Sequence, residues 1–172
     1  MATKKEWGTA TWYLFHTLSF KMKDQHFDEL KNDFLNICLN ICTNLPCPDC
    51  SDHAVAIMKN LNRDNIKTKK DLQLFFFDFH NSVNRRTKKP IFNENQMFMY
   101  HKAVTKNIVF NYITILSRKY NNIKLELFVP KGKIGNVNAF SISDKRFRFM
   151  EFDDYANSIL KFSLHPMQWH PI

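Results

Sequence analysis

The sequence predicts a mainly α protein of five helices, followed by a small C-terminal α+β extension. Three observations carry this. Glycine is scarce, 3 in 172 residues, which argues against a loop-rich β-sandwich, a P-loop or a Rossmann turn. Apolar residues recur at helical spacing from Trp7 to about Tyr120. After Tyr120 the period changes to two. The chain therefore divides into a helical domain, residues 1–120, and an extension of unknown role, residues 121–172.

The first helix runs through Trp7-Gly8-Thr9-Ala10-Thr11-Trp12-Tyr13-Leu14-Phe15-His16-Thr17-Leu18. Gly8, Trp12 and His16 stand at i, i+4 and i+8, on one face. Glycine permits close approach, and an indole and an imidazole offer flat surfaces for stacking. The plainer reading is a core tryptophan with a hydrogen-bonded histidine. A second helix, Phe27 to Cys42, carries Phe27, Leu30, Phe34, Ile37 and Ile41 at helical spacing. Cys38 and Cys42 are i,i+4 neighbours that diverge too far for an easy disulfide, so both are expected as buried thiols packing as small apolar groups.

A third helix is expected from Cys47 to about Leu61, with Pro48 in its first turn, where the missing N–H costs nothing. A polar loop, 62–69, leads to a fourth helix from near Lys70 to Arg86. Near its end His80, Asn81 and Asn84 can converge, and two amides beside a histidine need partners that a bound polar ring system would supply. Arg85, Arg86, Lys88 and Lys89 follow where a helix C-terminus welcomes cations and a phosphate could sit, and Pro90 breaks the helix. A fifth helix is predicted over roughly Asn95 to Tyr120, with Met97, Tyr100, Val104, Ile108, Tyr112 and Ile115 on one stripe. Alternation over 123–129, 137–143 and 146–152 predicts a small antiparallel sheet, with a turn at 130–136. Asp153 to Phe162 reads as a short helix, and 164–172 has no clear state.

The chemistry centres on Cys47-Pro48-Asp49-Cys50. A helix N-terminus favours a thiolate, which makes Cys47 the exposed nucleophile and Cys50, one turn in, its resolving partner. Asp49 and Asp52 oppose thiolate formation. All four cysteines lie between positions 38 and 50, whereas a structural disulfide framework would spread them. The net charge of +9 permits contact with phosphates or acidic partners but does not choose among them. No nucleic-acid-binding module is recognisable, no apolar run is long enough to span a bilayer, and the N-terminal residues do not form a signal peptide. A soluble, non-secreted protein is expected. The alternative is a zinc-binding structural or interaction module using the cluster from Cys38 to His53, but C-x3-C-x4-C-x2-C fits no common zinc spacing. A thioredoxin-like oxidoreductase would need strands around the cysteines, where helices are expected instead.

Trp7-Gly8-x-x-Thr11-Trp12-x-x-x-His16, then Pro46-Cys47-Pro48-Asp49-Cys50, then His80-Asn81-Ser82-Val83-Asn84-Arg85 with Lys89-Pro90, together resemble the Erv/ALR family of FAD-linked sulfhydryl oxidases, especially its compact members from large DNA viruses. The resemblance covers about residues 5 to 120. It implies a four-helix bundle with a fifth short helix, FAD at the mouth of that bundle, a homodimer, and a Cys47–Cys50 redox disulfide that oxidises protein thiols and passes electrons to flavin and then O2, giving H2O2. The cofactor-binding residues it implies are Gly8, Thr11, Trp12, His16, His80, Asn81, Val83, Asn84, Lys89 and Tyr100, with no metal. Many relatives carry a further cysteine pair on a terminal arm. None stands outside residues 38–50 here, so a thiol-containing protein substrate or a thioredoxin-like carrier is expected to meet the active site directly. The basic residue that often follows the first glycine is Thr9 here. The viral resemblance implies assembly sites in the host cytoplasm, with the virion as a second candidate location.

Overall fold

A computed structural model describes residues 2–117 and four strands, Lys124–Leu127, Ala139–Ser143, Arg146–Met150 and Phe162–His165. The helices are α1 (Lys4–Lys21), α2 (Phe27–Thr43), α3 (Pro48–Asn60), α4 (Lys69–Arg86), α5 (Phe98–Lys102) and α6 (Thr105–Ser117). The described part is mainly α, as the glycine-poor, helically patterned sequence predicts.

Local chemistry sets the helix ends. Thr3 and Glu6 form a capping box at the start of α1, and Thr68 and Asp71 form another at α4, each pairing backbone N–H groups that the helix itself leaves without partners. Cys47 is the N-cap residue of α3, with Pro48 at the first helical position. Helix α4 ends in a Schellman turn: the Lys89 N–H donates to the Asn84 carbonyl at 2.9 Å and the Lys88 N–H to that of Arg85 at 3.2 Å. Lys88 takes the left-handed conformation this turn requires, with φ 54°.

One core joins the helices. Phe76 of α4 lies 5.3 Å from Phe15 of α1 and 5.5 Å from Phe34 of α2, ring centre to ring centre, and all three are buried. Ala54 and Met58 close the core from α3, and Val109, Tyr112, Ile113 and Leu116 from α6. Cys38 and Cys42 are buried free thiols within it, as their spacing predicts.

The expected fifth helix is divided. Ala103 turns extended, with φ −62° and ψ 141°, and the Val104 carbonyl accepts from the Asn107 and Ile108 N–H groups to start α6. The break separates two packing demands. Tyr100 is buried against α1, whereas Val104, placed on the same predicted stripe, is 59% exposed. After the break the buried face moves to Val109, Tyr112, Ile113 and Leu116. Neither proline nor glycine marks this position.

The four strands, β1 (Lys124–Leu127), β2 (Ala139–Ser143), β3 (Arg146–Met150) and β4 (Phe162–His165), form one antiparallel sheet in the order β3-β2-β1-β4, with Leu125 paired to Ile142 and to Leu164, and Phe140 to Phe149. Three of them fall inside the predicted strands. The fourth, Phe162–His165, was not expected: Phe162 belongs to a strand and not to the end of a helix, and Leu164 and His165 gain a state that their sequence did not display. Their pairing with β1 is a long-range contact that no local pattern encodes. The rest of the proposed 153–162 helix lies outside the described residues.

Candidate active site

Helices α1, α3 and α4 surround a cavity of about 220 Å³. Gly8 and Trp12 border it from α1, Cys50 and His53 from α3, and His80, Val83 and Asn84 from α4. Cys47 and Cys50 are joined by a disulfide, with Cα atoms 5.1 Å apart. Both are partly buried, and only Cys50 is on the cavity wall. The first turn of α3 holds the pair: the N–H groups of Cys50 and Ser51 donate to the Cys47 carbonyl at 3.0 and 2.9 Å, and the Ser51 hydroxyl donates to the Cys42 carbonyl at 2.7 Å. Arg86 fastens the far side, its Nη1 donating to the Asp49 carbonyl at 2.8 Å.

The aromatic wall is a ladder. Trp12 stacks on His80 with centres 4.2 Å apart and planes at 11°, and Phe92 covers the other face of His80 at 4.8 Å and 23°. Behind them His16 stacks on Tyr100 at 4.5 Å and 15°, and its Nε2 lies 3.1 Å from His80 Nδ1. His16 is fully buried, and its Nδ1 has no hydrogen-bond partner. Burial, and secondarily the neighbouring His80, holds the His16 pKa down to about 3. Burial, and secondarily Lys89, lowers that of His80 to about 4. Both rings are neutral at pH 7.

The candidate residues thus separate into two groups. Gly8, Thr11, Trp12, His80, Val83, Asn84, Lys89 and Tyr100 border the cavity together with Cys50. His16 and Asn81 stand behind it. The Asn81 amide is committed to the chain after Pro90: its Nδ2 donates to the Phe92 carbonyl at 3.0 Å, and its Oδ1 accepts from the Phe92 N–H at 2.8 Å. This clip sets Phe92 on His80. The Thr11 hydroxyl donates to the Trp7 carbonyl at 2.8 Å, so its helix already occupies that donor. Phe92 is absent from the sequence-level candidates, and no spacing rule pointed to it. Lys4, Arg86 and His53 also border the cavity. The run of cations after Asn84 signals Arg86, and the i,i+3 spacing from Cys50 signals His53, whose pKa is lowered by burial and then by Arg86.

FAD fits these walls. A Cβ on Gly8 would meet no atom within 4 Å, so the α1 backbone faces open space where a large ligand can lie close. The walls are aromatic, and Lys4, Arg86 and Lys89 supply cations suited to a pyrophosphate. Among the described residues, no group of three or more His, Cys, Asp or Glu side chains is placed to hold a metal, and two of the four cysteines of the zinc alternative are tied in the disulfide. Among the described residues, no helix is long and apolar enough to cross a membrane.

Fold and site together define a helical protein with a disulfide set against an aromatic, cation-lined cavity. The family model for the Erv1 / Alr family matches residues 9–103, and the chain belongs to that family. Over 100 residues it is 31% identical to a protein of Invertebrate iridescent virus 3 named "Putative FAD-linked sulfhydryl oxidase 096R", covering 58% of this chain and 68% of that one. A FAD-linked sulfhydryl oxidase of African swine fever virus is 28% identical over 103 residues, 59% of this chain and 86% of its own. The rice FAD-linked sulfhydryl oxidase ERV1 is 31% identical over 90 residues, 52% of this chain and 46% of its own.

Proposed function

We propose that the chain is a FAD-linked thiol oxidase that makes disulfides in protein substrates through Cys47 and Cys50. The observation that carries this reading is the Cys47–Cys50 disulfide at the start of α3, with Cys50, and not Cys47, on the wall of the aromatic, cation-rimmed cavity. A substrate thiolate attacks Cys47 Sγ, the Cys47–Cys50 bond breaks, and Cys50 leaves as a thiolate while Cys47 holds the substrate in a mixed disulfide. A second substrate thiolate attacks the substrate sulfur of that bond, releasing the oxidised substrate and Cys47. The N-terminus of α3 stabilises negative charge at Cys47. Bound FAD would supply a two-electron acceptor for the reduced cysteine pair and a route from it to O2, with H2O2 as the product. Trp12, His80, Val83, Asn84 and Tyr100 hold the ring systems, Gly8 leaves room for them, and Lys89 faces the phosphates. His16 and Asn81 act from behind.

The same proposal includes a homodimer, a protein or thioredoxin-like thiol donor, and a helical unit, residues 1–120, that carries the chemistry. Action at viral assembly sites in the host cytoplasm rests on the viral relatives alone. The test is the purified protein. It should carry about one FAD per chain, consume O2 with dithiothreitol and release H2O2. A chain that takes up no FAD, or that carries FAD and oxidises no dithiol, overturns the reading.

A further inference from the structure

The ladder confines His80 on three sides. Trp12 covers one face and Phe92 the other, and the Nδ1 edge is turned to His16 Nε2 at 3.1 Å. Yet His80 is partly exposed and borders the cavity. Its Nε2, unlike His16 Nδ1, is not a buried atom lacking a partner, which leaves the edge bearing Nε2 to the cavity. The contact between two neutral imidazoles needs one N–H and one lone pair, which leaves two arrangements. If His80 Nδ1 carried the hydrogen, His16 would accept at Nε2 and keep its own proton on Nδ1. That N–H would be fully buried with no partner, a costly state for a donor. If His16 Nε2 carries the hydrogen, its Nδ1 is only an unpaired acceptor, the cheaper of the two.

We propose that His16 is a positioning residue: its Nε2–H donates to His80 Nδ1, fixes His80 as the Nε2–H tautomer, and so presents a hydrogen-bond donor to an acceptor atom of the bound flavin nucleotide. The inference rests on the FAD-binding reading and gives His16 a task that needs no contact with the ligand. The ligand then meets one ring of an imidazole pair, with the buried ring choosing the proton position of the ring in front.

The test uses the full chain purified with FAD and labelled with 15N-histidine, its seven histidines separated by long-range 1H–15N correlation and His80 assigned by its loss in His80→Gln. His80 should carry its proton on Nε2. His16→Gln keeps an N–H at the Nε2 position and should hold FAD close to the wild-type affinity. His16→Phe removes it and should weaken FAD binding about tenfold, the scale of one buried hydrogen bond, while His80 loses its fixed tautomer. A wild-type His80 protonated on Nδ1 overturns the proposal, and that spectrum needs no variant to fold. So does a His16→Phe protein that binds FAD as tightly as wild type with His80 still protonated on Nε2. A colourless chain that takes up no added FAD overturns both this inference and the oxidase reading.

Discussion

At the residue scale the two cysteine pairs have opposite surroundings. Cys47 and Cys50 are partly exposed and bonded to each other, whereas Cys38 and Cys42 are buried and their thiol pKa values are pushed up by burial, that of Cys42 to about 12. Cys47→Ser and Cys50→Ser should each abolish dithiol oxidation while FAD is retained, measured by O2 uptake and flavin absorbance. Cys38→Ala and Cys42→Ala should lower stability by about 1–2 kcal/mol through lost packing and leave turnover largely intact; loss of turnover in a folded, flavin-bearing variant would reveal a second redox pair. The imidazole pair predicts a pH dependence. Unfolded histidines take up protons below about pH 6.5, whereas folded His80 and His16 resist down to about 4 and about 3. The unfolded state therefore binds more protons in that window, and stability falls as pH drops through it. Thermal unfolding between pH 7 and pH 4 should show this decline, shallower in His16→Phe; an unchanged slope there would place the buried charge cost elsewhere.

At the element scale, the helices with strong apolar periodicity were legible, as were the Pro48 start of α3 and the cluster of His80, Asn81 and Asn84. What was not legible depended on distant partners. The α5–α6 break has no proline or glycine behind it; it lies where the extended Ala103 leaves Val104 exposed between the buried Tyr100 and Tyr112. The role of Asn81 was hidden because its partner is the backbone of Phe92, which any residue could supply. Strand β4 was hidden for a similar reason. The Schellman turn after α4 gives a separate prediction. Lys88 holds a left-handed conformation that costs a non-glycine residue about 1 kcal/mol, and it is exposed and absent from the cavity wall. Lys88→Gly should therefore raise stability by about 1 kcal/mol in a urea titration without changing FAD content. A variant no more stable than wild type would mean that the turn imposes no such cost.

At the scale of the whole molecule, all three motifs and every wall of the cavity lie before residue 104, and the family match ends at residue 103. Helix α6 packs on α1 beyond that boundary, so a cut at 103 would expose the core, whereas one after Tyr120 keeps α6 in place. A chain ending at Tyr120 should bind FAD and oxidise dithiothreitol, losing stability or activity towards a protein substrate; a folded, flavin-bearing truncation unable to oxidise even the small dithiol would show that residues 121–172 help build the site. The burial of Cys38 and Cys42, 0% and 1% exposed, has a practical consequence for the chemist with a colorimetric thiol reagent. The native oxidised protein should register no sulfhydryl, the oxidised protein in denaturant two, and the fully reduced denatured protein four. Counting in that order separates a spent catalyst from a damaged fold without any assay of turnover.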